Sequence, residues 1–234
     1  MNDLTPALPR TLSHVTEWVF DLDNTLYPRS CNLFAQIDIR ITHYVMDVTQ
    51  LEFEAARALQ KGYYRDFGTT LNGLMQTHKI DPDHFLNSVH AIDYAPVDAH
   101  PDLVEAIRAL PGRKFILTNG DVGHARSVLK RLGGEDLFEQ GYDIRAMTYV
   151  PKPHRAAYEG FFKAHDIDPN RAVMFDDLEK NLVVPHEVGM STVQVVASED
   201  FAHEQVDAWE LGRSAGDHVH HVTEDLARFL RELP

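Results

Sequence analysis

With 234 residues, 44% hydrophobic and 25% charged, the chain is large enough for one globular domain with an insertion, or two small domains. Lys and Arg number 22 against 36 Asp and Glu, a formal net charge of −14, and that balance argues against a nucleic-acid-binding surface, which needs a basic footprint. Cys31 is the only cysteine, so no intramolecular disulfide is available and a reducing, cytoplasmic setting is expected; no apolar run approaches the ~18 residues of a membrane span.

Residues 1–14 read as a polar, proline-containing lead-in, and residues 1–10 lack the apolar stretch of a secretion signal. Trp18, Val19 and Phe20 predict a first strand ending at Asp21. From about residue 32 to 95 strand signals vanish. Ile37, Ile41, Tyr44, Val45 and Val48 recur at helical spacing, as do Leu51, Ala55, Ala58 and Leu59, and Leu71, Leu74 and Met75 begin a further helical patch. Asp81 and Pro82 mark another start, the Asp as N-cap and the Pro at the first helical position, ahead of Phe85, Leu86 and Val89.

Strand and helix then alternate. Helices are expected over residues 100–110, 122–132, 154–165, 178–188 and 223–233, and strands over 115–117, 142–146, 172–175 and 192–196. Gly133 and Gly189 close two of the helices, and Thr223 is the expected N-cap of the last. Such alternation predicts an α/β fold, a Rossmann-like parallel sheet with helices on both faces.

Chemistry-bearing residues stand at the predicted strand ends. Asp21 and Asp23 follow the first strand, where open α/β sheets place their chemistry. Two crowded carboxylates repel each other, a cost tolerated when a divalent cation lies between them or one stays protonated. Thr118, Asn119 and Gly120 follow a second apolar run, and Asp176 and Asp177 end a third. Lys152 stands between Pro151 and Pro153, which fix its backbone. Each motif alone has an ordinary reading: a surface Asp turn, an Asn-Gly turn, a loop lysine, a helix cap.

In this order, Asp-x-Asp, Thr-Asn, Lys and Asp-Asp, the sequence resembles the haloacid dehalogenase (HAD) superfamily over residues 17–197. The resemblance implies a core of residues 1–30 and 97–234 and an inserted helical cap domain of the C1 type over 31–96. It implies Asp21 as nucleophile, forming an aspartyl-phosphate, and Asp23 as the acid and base. Thr118 with the backbone of Asn119 and Gly120 would bind phosphate, and Lys152 would neutralise phosphate and nucleophile. Mg²⁺ would be held by Asp21, the Asp23 carbonyl, Asp176 and Asp177, with Asn181 in support. Dehalogenases of the superfamily generally lack the second acid, so the pair Asp21 and Asp23 implies phosphoryl chemistry, a phosphatase acting on a small phosphomonoester, with a mutase, which shares the second Asp, as an alternative.

The segments 70–78 and 85–90, with residues 23–28, resemble the pyrimidine 5′-nucleotidase branch. That implies a nucleoside 5′-monophosphate substrate with pyrimidine preference, and leaves Tyr63, Asn72, His78 and His90 as possible base or ribose contacts. The alternatives are a phosphatase for phosphoglycolate, a sugar phosphate or pyridoxal phosphate, and a non-catalytic regulatory protein of the same fold. His218, His220 and His221 cluster without a recognisable ligand spacing and are read as a polar loop. Cys31 is read as a small core or cap residue.

Overall fold

The computed structural model describes residues 11–197 and 216–233; the first ten residues of the lead-in lie outside them. Five parallel strands, β1 (Glu17–Phe20), β2 (Arg113–Ile116), β3 (Ala172–Asp176), β4 (Ser191–Val195) and β5 (His221–Thr223), form one sheet in the order β2-β1-β3-β4-β5. From β1 the chain moves to one side for β2, then crosses back to the other side for β3. The reversal leaves a crevice at the C-terminal ends of β1 and β3, where α/β sheets bind ligands.

Both faces of this sheet are covered, so its central strands carry unbroken apolar runs, Trp18 to Phe20 in β1 and Ala172 to Phe175 in β3, instead of alternating with polar residues. Trp18 and Phe20 of β1 and Val173 and Phe175 of β3 point to one side, where the rings of Phe20 and Phe175 stack at 4.5 Å. Helices α5 (Pro101–Ala109), α6 (Val122–Leu132) and α9 (Leu226–Arg231) cover that side through Leu103, Ile107, Val128 and Leu230. Val19, Ala172 and Met174 point the other way, towards Tyr158 and Phe161 of α7 (Arg155–His165) and Val184 of α8 (Val183–Glu187). Gly112 turns the chain into β2 at φ +81°, and a Cβ there would stand 2.2 Å from the Thr16 carbonyl oxygen, so a side chain is excluded on both counts.

Between β1 and α5 lie four helices, α1 (Leu33–Thr49), α2 (Phe53–Phe67), α3 (Thr70–His78) and α4 (Pro82–Val89). Asp81 caps α4 by accepting from the Asp83 N–H, with Pro82 in the first turn, as its sequence signal predicts. Gly73 is explained by packing: α2 and α3 approach so closely that a Cβ would meet the Tyr63 ring at 2.5 Å.

Four local expectations need correction. Residues 142–146 form no strand beyond one bridge between Tyr142 and Leu117. The Asp143 carboxylate accepts from the N–H groups of Val122, Arg145 and Ala146, and this local bonding replaces the ladder. The helix expected over 178–188 is divided into a 3₁₀ turn at Glu179–Leu182 and α8, because Pro185 fits only in a first turn and forces a fresh start. The last helix begins at Leu226 with Asp225 as its cap, accepting from the Arg228 N–H; Thr223 instead ends β5. The histidine segment is no plain loop, for His221 opens β5 and His220 bonds Thr192. A three-residue strand is too short to show a period.

Candidate active site

Asp21 continues the line of β1 by one residue, its N–H donating to the Phe175 carbonyl at 2.8 Å. The hydrogen-bond register thus carries the Asp21 side chain to the end of the central strand beside that of Asp176, the last residue of β3. Lys152 joins them: its Nζ lies 2.7 Å from Asp21 Oδ1 and 2.7 Å from Asp176 Oδ2, with the side chain 1% exposed. An ammonium this deep stays charged only because two carboxylates hold it. Burial alone would lower its pKa, and the charges of Asp176 and Asp21 raise it instead.

Asn119 has a structural task that sequence reading did not assign. Its side chain accepts from the Lys152 N–H at 2.8 Å and donates to the Lys152 carbonyl at 3.1 Å, clamping the lysine's backbone. Thr118 is buried, and its Oγ1 accepts from the Gly120 N–H at 3.0 Å, so that amide is engaged within the turn instead of directed at a ligand. Both residues nonetheless sit at the end of β2, beside Asp21 and Lys152, where the sequence order predicted them.

Oxygens of Asp21, Asp176 and Asp177 lie within 4.8 Å of one another, the one such ligand group among the described residues. Burial pushes the Asp21 carboxyl up to about 7, with Lys152 opposing and Asp176 and Asp23 adding to the rise. Burial likewise pushes Asp177 well above the usual range, reinforced by Asp176 and Asp21. Arg29 answers part of that charge, its Nη2 standing 2.7 Å from Asp177 Oδ2. Asn181 donates to Asp176 Oδ1 at 2.9 Å, while its own Oδ1 is buried without a hydrogen-bond partner. Crowded carboxylates plus an orphaned amide oxygen make a hard, oxygen-only donor set, which fits Mg²⁺ and lacks the nitrogen and sulfur ligands typical of zinc.

The Asp23 side chain turns away from this cluster. Its Oδ1 accepts from the Tyr27 hydroxyl at 2.5 Å and lies 2.7 Å from His124 Nε2. Burial would raise its pKa, but the charge and hydrogen bond of His124, with the bond from Tyr27, outweigh this and hold it down to about 2. Arg29 and His124 escape sequence reading because their partners are distant in the chain, by 148 and 101 residues respectively. One arginine among many, or one of fourteen histidines, carries no local signal.

A cavity of about 170 Å³ opens over Asp21, Asp23, Lys152 and Asp177. Its far wall comes from the helical insertion: Phe34, Ile37 and Ile41 of α1, Leu71 of α3, and Phe85 and Leu86 of α4. The four polar residues considered for base contacts do not line it. Tyr63 bonds His78 and Thr77, Asn72 bonds the Phe67 carbonyl and Gln76, and His90 bonds Asp121. The His218 ring lies beside Glu179 while the His220 ring bonds Thr192, so the two imidazoles face different groups. Cys31 is buried, and burial pushes its thiol up, away from reactivity.

Known proteins share features with this chain. Phosphate metabolism protein 8 of Saccharomyces cerevisiae is 27% identical over 145 residues, covering 57% of this chain and 45% of that protein, so the match spans under half of the relative's length. The crystal structure of a HAD phosphatase from Thermococcus onnurineus superposes with a TM-score of 0.59 at 16% identity, covering 93% of this chain and 97% of that one. L-2-haloacid dehalogenase from Xanthobacter autotrophicus, with chloropropionic acid covalently bound, gives a TM-score of 0.58 at 15% identity over 93% and 97% of the two chains. At such identities these two structures speak for the fold alone. The sequence model of the haloacid dehalogenase-like hydrolases matches residues 19–183, well over half the chain, and the protein belongs to that family of hydrolases.

Proposed function

We propose that the protein hydrolyses a small phosphomonoester with Mg²⁺, through an aspartyl-phosphate on Asp21. The observation that carries this reading is Asp23, a carboxylate fixed by two hydrogen bonds at the edge of the cavity that Asp21 also lines, with 20% of its side chain exposed. A leaving halide needs no proton, whereas a leaving alkoxide does, so a second positioned acid has a use in phosphate-ester cleavage and none in dehalogenation.

A carboxylate oxygen of Asp21 attacks phosphorus while the bond from phosphorus to the leaving oxygen breaks, and a proton from Asp23 goes to that oxygen. The dianionic phosphate itself raises the proton affinity of Asp23 as it approaches. Asp23, now a carboxylate, takes a proton from water, the resulting oxygen attacks phosphorus, and the bond to Asp21 breaks to release phosphate. Lys152 keeps Asp21 in place and offsets charge between nucleophile and phosphate. Asp21, Asp176, Asp177 and the Asp23 carbonyl would hold Mg²⁺, which when bound supplies positive charge against the phosphate and the crowded acids. The helical insertion, residues 31–96, serves as a cap over a core of 1–30 and 97–234, and the single cysteine suits a cytoplasmic enzyme.

For the leaving group, the pyrimidine nucleotide reading is supported by the resemblance of the cap segments and by the small cavity. It is not supported by the side chains first considered for base contacts, all of which have other partners. The test is phosphate release from a panel of monoesters, with Mg²⁺ and with chelator. Asp21→Asn should lose more than about 99.9% of turnover while keeping the native fold by circular dichroism, since an amide forms no acyl-phosphate. Near-normal activity in that variant, or full activity in chelator, would overturn the mechanism.

A further inference from the structure

His124 reaches Asp23 with one ring nitrogen while its other ring nitrogen and its backbone N–H are held by Tyr94 and Asp121. The ring is fully buried at the start of α6. Its Nε2 meets Asp23 Oδ1 at 2.7 Å and its Nδ1 meets the Tyr94 hydroxyl at 3.0 Å. The same hydroxyl lies 3.1 Å from the His90 carbonyl, which holds it against the ring. Asp23 Oδ1, as a carboxylate oxygen, only accepts, so Nε2 carries a proton and the contact is a charge-assisted hydrogen bond. Burial opposes a charged imidazole, and the Asp23 charge and hydrogen bond outweigh it, raising the pKa of the ring.

The ring cannot easily turn. His90 stacks on it, centroids 4.6 Å apart and planes within 10°. Asp121 then ties the pair together: its Oδ1 accepts from the His124 N–H at 2.8 Å and its Oδ2 lies 2.8 Å from His90 Nδ1. With Tyr27 on the same oxygen, Asp23 Oδ1 is fully occupied. The other oxygen, Oδ2, lies beside Gly120, 3.7 Å from where a Cβ on that glycine would stand, and Gly120 lines the cavity.

We propose that His124 is a positioning residue for the acid and base of the reaction: it holds Oδ1 of Asp23 so that Oδ2 alone faces the leaving oxygen. This rests on the phosphomonoesterase reading given above. The buried face from α6, clamped by Tyr94, His90 and Asp121, sets the torsion of the carboxylate to within the tolerance that proton transfer demands. Tyr27, four residues along the same loop and buried in the core, supplies a second bond to the same oxygen.

Proton transfer to the leaving group matters for an alkoxide and little for a p-nitrophenolate, which departs unaided. The value of kcat/KM reports the steps up to the phosphoenzyme, so it separates the two. The experiment compares UMP (or glycerol phosphate, should UMP not react) with p-nitrophenyl phosphate in His124→Phe, His124→Gln and Tyr94→Phe. His124→Phe should lose at least about tenfold in kcat/KM on the alkyl ester and less than about threefold on the aryl ester. His124→Gln, which keeps a donor, should recover part of the alkyl activity, and Tyr94→Phe should show the same bias more weakly. If His124→Phe does not fold, the other two variants decide. Equal losses on both esters in an active enzyme would overturn the positioning role while leaving the phosphatase standing. A wild-type protein that cleaves neither ester would overturn the phosphatase reading and this proposal with it.

Discussion

Three carboxylates and two cations meet beneath the cavity, and each is buried: Asp21, Asp176 and Asp177 with Lys152 and Arg29. Each carboxylate has a cation beside it, yet the acids outnumber the cations by one, an arrangement that a bound divalent cation would stabilise. Arg29 makes this testable without any activity measurement. Arg29→Leu removes the guanidinium from Asp177 and should cost about 3 kcal/mol of stability in chelator, the scale of breaking a buried ion pair. Because more charge is then uncompensated, Mg²⁺ should restore more stability to the variant than it adds to the wild type. Urea denaturation of both proteins, with chelator and with millimolar Mg²⁺, checks this; an identical effect of Mg²⁺ on the two would argue against a metal at Asp177. At this scale the sequence was informative wherever a residue followed directly from a strand. Asp21, Thr118, Asp176 and Asp177 could be placed because a parallel sheet delivers consecutive strand ends to one edge. Arg29 and His124 could not, since each acts through a partner more than a hundred residues away.

Among elements, α6 links the parts of the site. It starts at Asp121, which caps it, contacts His90 at the end of α4, and carries His124 one turn in. Burial alone would raise the Asp121 pKa, but hydrogen bonding to His90 and its charge, with the capped N–H, bring it down to about 2. A folded-state pKa below the ordinary 3.8 means that the charged carboxylate favours folding. That contribution is fully present above about pH 4 and is lost as pH falls towards 2. Asp121→Asn keeps a capping oxygen and loses the charge, so it should cost about 2 kcal/mol near pH 6. The gap between variant and wild type should narrow steadily below pH 4, read from urea midpoints across that range. A gap that is constant with pH would mean the charge contributes nothing. Element boundaries were legible where a cap or proline sits at a helix end, as at Asp81 and Pro82. They were misread where a side chain competes with the backbone, as at Asp143, or where a proline interrupts a helical pattern, as at Pro185.

At the scale of the molecule, the sheet supplies reaction chemistry and the inserted helices supply the wall opposite it. Alternating strands and helices made the sheet legible in advance, whereas the wall's specificity was not. The order of residues along a helix does not reveal which polar groups will be consumed by neighbours. Tyr63, Asn72, His78 and His90 all looked available in the sequence and are all bonded within the protein. What the insertion turns to the cavity instead is mainly apolar, Phe34, Ile37, Ile41, Leu71, Phe85 and Leu86, with Tyr64, Thr69 and Thr70 beside them. On the proposed function, discrimination among leaving groups would then rest chiefly on shape. At about 170 Å³ the cavity is smaller than the roughly 300–1,000 Å³ usual for ligand pockets, which favours a one-ring base over a two-ring base. Overpacking of a well-fitted apolar wall costs about 1–3 kcal/mol, so kcat/KM for UMP and CMP should exceed that for AMP and GMP by about tenfold or more. Asn72→Ala and His90→Ala should leave this ratio unchanged, even where they alter the rate. Phe85→Ala, which enlarges the wall, should shrink the ratio by admitting the purines. Equal kcat/KM for all four nucleotides in the wild type would reject selection by size, and a ratio that moves with Asn72 or His90 would return base recognition to hydrogen bonds.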